Sequence, residues 1–231
     1  MIDVHSHILP FVDDGSCSIE QSLTMLKEME AQGVTDVICT PHYGDEYVCE
    51  IEKLQNAFSE LNKEKDNKGI NVNLYLGQEI LYDKKVKANL LNGKNISLNG
   101  TPYLLVEFDY CSDFDMTEAV YTLVKEGYKP IVAHFERYTF VDVMTAQEIK
   151  NLGGYIQVNA SSLVNKFGCK FGKRTKTLFA EDLVDFVASD LHFIRKNKMK
   201  TAYKIVEKKY GKEKADIVFV ENPKKIINGQ T

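Results

Sequence analysis

The chain has 231 residues, 44% of them hydrophobic, and a formal net charge of -4, which suffices for a substantial core in one domain over residues 1–231. That mildly acidic balance supplies no general field for wrapping nucleic acid, so a nucleic-acid partner is not expected. The five cysteines, Cys17, Cys39, Cys49, Cys111 and Cys169, form an odd set without a Cys-x-x-Cys pair, which argues against a disulfide framework or a zinc ribbon and for a reducing, cytoplasmic setting.

No apolar run approaches the roughly 20 residues that span a bilayer, and the first residues are not a basic-plus-apolar leader, so a soluble chain with no membrane insertion is expected. In chain order, Met1 to His5 reads as a short strand. Ser18 caps a helix to Gln32, with Ile19, Leu23, Leu26 and Met29 at helical spacing and Gly33 as its stop. Val34 to Cys39 is a buried strand, Ile51 to Asn67 a helix, and Ile70 to Leu76 a strand. The alternation continues through strands at Tyr103 to Phe108, Pro130 to Ala133, Tyr155 to Val158 and Val184 to Ala188. Between them lie helices at Met116 to Glu126, Thr145 to Leu152 and around Lys173 to Glu181. Helices at Lys198 to Tyr210, Lys212 to Phe219 and Glu221 to Asn228 close the chain. Roughly seven strand-to-helix units with polar residues at successive strand ends fit an α/β barrel better than an open sheet, with the chemistry at the carboxyl ends of the strands. The Lys-rich stretches Lys84 to Lys87, Lys196 to Lys200 and Lys208 to Lys214 read as solvated helix faces.

All five histidines sit in motifs: Asp3-Val4-His5-Ser6-His7, Thr40-Pro41-His42, Val132-Ala133-His134 and Ser189-Asp190-Leu191-His192. His5 and His7, two residues apart on an extended strand, point the same way and can serve one ion. Asp13-Asp14-Gly15 is either an ordinary turn or a turn that brings Asp14 back over the strand end. The residue before Pro41 is forced extended, which turns His42 outward at the rim. Glu79 and Glu107 end apolar strands, where a carboxylate requires a cation or an Arg partner. His134, Asp190 and His192 follow two further apolar runs. Nine such side chains at successive strand ends, mixing imidazole with carboxylate, suit Mn, Fe, Zn or Mg rather than a thiolate site. Only three of the 29 basic residues are Arg, and Arg137 and Arg195 each stand three residues after a motif histidine, where a planar fork suits a phosphate.

In this order, His5-Ser6-His7, Asp13-Asp14-Gly15, Thr40-Pro41-His42, Gly77-Gln78-Glu79, Val106-Glu107-Phe108, Ala133-His134-Phe135-Glu136-Arg137-Tyr138 and Ala188-Ser189-Asp190-Leu191-His192 resemble the polymerase-and-histidinol-phosphatase (PHP) metallophosphoesterases. More narrowly, they resemble the capsule-locus, manganese-dependent bacterial protein-tyrosine phosphatases, over residues 1 to 228. The resemblance implies a distorted, TIM-barrel-like (β/α)7 barrel and two or three divalent ions, Mn2+ foremost, with Fe, Zn, Mg or Co as alternatives. It implies hydrolysis of phosphotyrosine on the tail of a tyrosine autokinase in capsule or exopolysaccharide synthesis, and it leaves a homo-oligomer open. Carried over, the metal ligands are His5, His7, Asp14, His42, Glu79, Glu107, His134, Asp190 and His192, and Arg137 grips the phosphate. Relatives carry a second arginine a little beyond the last motif; here Arg195 either takes that part at a shifted spacing or is a helix-surface cation.

Such a cluster implies direct attack by an ionised, metal-held water without a phosphoenzyme, with Asp190 or His192 candidates for handling the proton. A cysteine phosphatase needs five residues between Cys and Arg, whereas Cys169 and Arg174 have four between them. Cys17 and Cys39 read as packing residues. The rivals are a small-molecule phosphomonoesterase, such as one acting on histidinol phosphate, and an inactive binding module that has kept the fold.

Overall fold

The computed structural model describes residues 1–44, 46–110, 115–164 and 170–230. β1 (Ile2–Ser6) leads to α1 (Ile19–Ala31), β2 (Asp36–Cys39), β3 (His42–Tyr43) and α2 (Ile51–Asn67), followed by β4 (Asn73–Leu76), β5 (Glu79–Leu81), α3 (Val86–Leu91) and β6 (Tyr103–Glu107). Next come α4 (Met116–Lys125), β7 (Lys129–Val132), α5 (Val143–Asn151), β8 (Tyr155–Asn159), α6 (Ala160–Val164) and α7 (Lys170–Ala180). β9 (Phe186–Ala188), α8 (Met199–Tyr210), α9 (Lys212–Asp216) and α10 (Asn222–Ile227) complete the chain.

The ladders are parallel, in the orders β1-β2-β4 and β3-β5-β6-β7-β8-β9. β2 and β3 are two pieces of one strand broken at Thr40-Pro41, and β4 and β5 two pieces of another broken at Gly77-Gln78, so nine segments make seven strands. Backbone bonds from Gly77 N to Cys39 O (2.9 Å) and from Glu79 N to Pro41 O (3.1 Å) carry the ladder across both breaks. The circle closes between β9 and β1 through Asp190 N to His5 O (2.9 Å) and His7 N to Leu191 O (3.0 Å). This is the distorted α/β barrel that the sequence led us to expect.

Alternation along the strands sorts the core into two layers. Ile2, Val4, Ile38, Leu105, Ile131 and Phe186 fill the barrel interior, floored by Leu98 and Ile226. The opposite faces carry Val37, Leu104, Val106, Val132 and Val187, which pack under the helices with Leu26, Met29 and Leu54. Each such side chain contributes about 1.5–3 kcal/mol when fully buried. Ser18 accepts from Gln21 N at the start of α1, and Asp142 with Thr145 forms a capping box that starts α5 at Val143 rather than at Thr145. The expected helix from Lys212 to Phe219 stops at Asp216 and gives way to a π-helical turn, Ile217–Glu221. Pro223, in the first turn of α10, lacks the N–H that an α-helical bond back to Phe219 would need, and the wider turn absorbs the mismatch. Among the described residues no helix is long and apolar enough to cross a membrane.

Candidate metal centre

β1 delivers its two histidines through an irregularity that simple alternation does not foresee. Its register with β2 runs Ile2 to Asp36, Asp3 to Val37, then Ser6 to Cys39, so three steps on β1 match two on β2. This β-bulge reverses the alternation, and His5 and His7 face the same interior as Ile2 and Val4. The buried Asp3 carboxylate pins the bulge: its Oδ1 accepts from Ser189 N (2.9 Å) and from His5 N (3.4 Å). Two other site residues, His134 (φ 34°) and Asp190 (φ 49°), turn back into the site in left-handed backbone just past β7 and β9, a conformation uncommon outside glycine.

All nine side chains singled out in the sequence meet at the carboxyl end of the barrel. They form four overlapping groups, His7/Asp14/His42/His192, His5/His7/Asp190, His5/Glu79/His134 and His42/Glu79/Glu107, in each of which one donor atom per residue lies within 4.8 Å of the others. Glu79 is central. Its Oε2 lies 3.1 Å from His5 Nε2, 3.3 Å from His7 Nε2 and 3.1 Å from His42 Nδ1, and its Oε1 lies 2.9 Å from His134 Nε2. Glu107 Oε1 is 3.0 Å from His42 Nδ1, and Asp14 Oδ1 is 3.3 Å from His192 Nε2 and 3.7 Å from His42 Nε2.

The tautomers show that these atoms fit cations. His5 Nδ1 donates to Gln157 Oε1 (3.1 Å) and His7 Nδ1 to Asp13 Oδ2 (2.7 Å), so the neutral rings present bare Nε2 lone pairs, and these lie 3.1 Å apart. Protonating both would set two N–H bonds head to head. Glu79 Oε2, buried without a hydrogen-bond partner, faces the same gap. With both rings neutral, three electron-pair donors converge on one gap and a divalent ion satisfies all of them, and imidazole with carboxylate but no thiolate suits the Mn, Fe, Zn, Co and Mg group. Gln157 Oε1 also accepts from His134 N (2.8 Å), while its Nε2 donates to Asn159, whose Nδ2 donates to Asp190 Oδ2 (2.8 Å). These polar links hold the donor atoms in place, as outer partners do around metals.

Gly15 serves a close approach rather than only a turn, since a Cβ there would lie 2.0 Å from His7 O and 2.4 Å from His7 Cβ. Gly15→Ala is expected to cost about 1–3 kcal/mol and to lower metal content. Melting temperature and metal analysis read both, and a variant that melts and loads like the wild type refutes the close-approach reading.

The site is electrostatically biased before any ion binds. Burial pulls His42 down, but its hydrogen bond to Glu107 and the Glu79 charge outweigh this and raise it to about 8. For His7, burial is likewise overcome by Asp13 and Glu79, and its pKa lies well above the usual imidazole range. His192 goes the other way, to about 4, through burial and repulsion from His7. Burial opposes ionisation of Asp190 too, yet His5, His7 and His134 hold it at about 2. An ion binds neutral imidazole, so at pH 7 His7 and His42 must release protons on loading whereas His192 has none to give. Proton release on Mn2+ addition, followed with a pH indicator in weak buffer, is therefore expected at pH 7 and smaller at pH 9, above the His42 value. Equal release at both would overturn this assignment.

Arg137 and Arg195 meet at one atom. Arg137 Nη1 lies 3.2 Å and Arg195 Nη1 2.9 Å from Asp190 Oδ2, and Arg195 also donates to Asp190 O (3.1 Å). Arg195 therefore reaches the cluster instead of standing on a helix surface. Both side chains stay partly exposed, at 31% and 44%. The third arginine, Arg174, donates to Val141 O away from the cluster. Cys39 is buried as expected, but Cys17 is exposed, with its Sγ donating to Gln21, rather than packed. Cys111 and Cys169 lie outside the described residues. Sequence reading gave no separate role to Asp3, Asp13, Gln157 and Asn159; Gln157-x-Asn159 in an otherwise apolar strand was the available signal. A larger cavity of about 550 Å3 lies elsewhere, bordered by Phe58, Leu74, Asn95 and Tyr128, and holds none of the nine; donor chemistry, not volume, locates the centre.

Comparison with known proteins agrees with this geometry. The family described as "Capsular polysaccharide synthesis, CpsB/CapC" matches residues 1–228. Tyrosine-protein phosphatase CpsB of Streptococcus agalactiae is 33% identical, with 98% of each chain covered. Tyrosine-protein phosphatase YwqE of Bacillus subtilis is 31% identical, with 100% of this chain and 93% of YwqE covered. A solved structure from the pair YwqE of Bacillus subtilis and CpsB of Streptococcus pneumoniae, described as unique metal-dependent tyrosine phosphatases, superposes with a TM-score of 0.93 at 31% identity, covering 100% of this chain and 96% of that one. The chain belongs to the CpsB/CapC family of capsular polysaccharide synthesis.

Proposed function

We propose that the protein is a metal-dependent tyrosine phosphatase of capsule or exopolysaccharide synthesis, hydrolysing phosphotyrosine on the tail of a tyrosine autokinase in the cytoplasm, with Mn2+ as its ion. The observation that carries the reading is the meeting of nine nitrogen and carboxylate side chains, Glu79 central among them, beside two arginines that converge on Asp190. Divalent ions bound there supply an ionised water and positive charge for the phosphoryl oxygens. The ligands assigned to them are His5, His7, Asp14, His42, Glu79, Glu107, His134, Asp190 and His192.

Arg137 and Arg195 hold the remaining phosphoryl oxygens through charge-assisted hydrogen bonds as charge builds up. Asp190, held at about 2, and His192, held at about 4, are already deprotonated at neutral pH, so each offers an electron pair to an ion or a proton, and neither has a proton to deliver to the leaving group. A phenolate leaves without strong acid assistance, which makes aryl phosphates the easier substrates of such a site. A thiol nucleophile has little support among the described cysteines. Cys39 is fully buried and its thiol is pushed up by that burial, and Cys17 lies beside Gln21 on α1.

One observation favours a second reading, a small cationic phosphomonoester. A cleft of about 350 Å3 beside His42 and Glu107 is also lined by Glu46 and Asp109, whose carboxylates suit an amine. Turnover of a phosphotyrosyl peptide and of histidinol phosphate by the Mn2+-loaded protein separates the two. We expect kcat/KM at least a hundredfold higher for the peptide; the reverse order would sink the proposal, and bound metal with no turnover of either would leave an inactive binding module.

A further inference from the structure

We infer that Tyr110 forms the wall against which the phenyl ring of the substrate packs, and so selects aryl over alkyl phosphomonoesters. The inference rests on the phosphatase reading above and adds a specificity residue to it.

Tyr110 lies just past β6, on the rim next to the cluster. Its ring stacks on that of Tyr138 at 5.1 Å and 28° between planes, and lies 6.0 Å from the His134 ring at the same tilt. Tyr138 is itself immobilised: it is fully buried, and its hydroxyl accepts from Phe108 N (2.9 Å). The Tyr110 hydroxyl lies 3.3 Å from His134 Nδ1, which ties the ring to a metal-facing imidazole. One side of Tyr110 is thus held by a rigid support, yet 45% of the residue remains exposed. An aromatic ring held by a rigid support and still nearly half exposed is preorganised for a flat partner.

The arginine supplies the direction. Arg137 Cζ lies 5.6 Å from the centre of the Tyr110 ring while its Nη1 reaches Asp190. A phosphate gripped by Arg137 therefore has its ester oxygen, and the group attached to it, beside Tyr110. Phe140, 44% exposed and 5.8 Å from Tyr138 ring to ring, continues the apolar rim outward. An alkyl phosphate places only a thin chain in this space. A phenyl ring covers the exposed part of Tyr110.

Two non-hydrolysable ligands separate ring recognition from phosphate recognition. Benzylphosphonate and methylphosphonate are titrated calorimetrically into the Mn2+-loaded wild type, Tyr110→Phe and Tyr110→Leu, with metal content measured for each. Tyr110→Leu is expected to lose roughly 3- to 10-fold in benzylphosphonate affinity while methylphosphonate binding stays within about twofold, and Tyr110→Phe is expected to keep the aryl preference. Should Tyr110→Leu shed its metal, Tyr110→Met fills a similar volume and gives the same contrast. Equal loss for both ligands, or none for benzylphosphonate, overturns the wall. Wild-type protein that binds benzylphosphonate in this way yet leaves a phosphotyrosyl peptide intact overturns the functional reading and keeps the wall; wild type that binds neither phosphonate overturns both.

Discussion

Glu79→Ala is expected to empty most of the metal centre and to lower turnover of an aryl phosphate by on the order of a thousandfold or more. Its two oxygens lie within 3.3 Å of ring nitrogens from His5, His7, His42 and His134, so one truncation removes the anion common to four imidazoles. What remains is a crowd of nitrogens whose protonation becomes mutually repulsive, and Asp13, Glu107 and Asp190, each near only one or two of these rings, do not replace the shared anion. The expected signature is loss of metal by elemental analysis with circular dichroism close to wild type, because the apolar barrel below the cluster does not depend on the carboxylate. Glu79→Gln should lie close to Glu79→Ala, since an amide keeps the shape and loses the charge. A Glu79→Ala protein with full metal content would remove Glu79 from the centre.

Arg137→Ala is expected to weaken transition-state binding by about 1.5–3 kcal/mol, roughly 10- to 150-fold in kcat/KM. Arg137→Lys should recover only part, because an ammonium supplies charge without the planar fork. The double variant with Arg195→Ala carries the sharper information. Both guanidiniums meet at Asp190 Oδ2, and two groups that share one partner and one phosphate should not lose energy additively. Unchanged KM and kcat for Arg137→Ala would take it out of the site. Strict additivity would mean that the two arginines act on different groups.

Much of the barrel was legible because its strands are short apolar runs whose borders are set by local chemistry. Ser18 caps α1, and the apolar stripe of Leu23, Leu26 and Met29 faces the core. Where a boundary was missed, a local cause was at work: the Asp142 capping box moved the start of α5, and Pro223 turned one expected helix into a π turn and a shorter helix. The breaks at Thr40-Pro41 and Gly77-Gln78 hid β3 and β5, whose two- and three-residue pieces carry no periodicity of their own and exist because the neighbouring strand pairs with them.

That these nine side chains belong together was readable from the chain alone, because polar residues at the ends of apolar runs are costly to bury without partners and only a few chemistries repay that cost. Their arrangement was not. The bulge at His5, the left-handed turns at His134 and Asp190, the closure of β9 onto β1 and the meeting of Arg195 with Arg137 each join residues far apart in sequence or reverse a local preference. Only the closed barrel supplies the hydrogen bonds and packing that make those conformations the lowest in free energy.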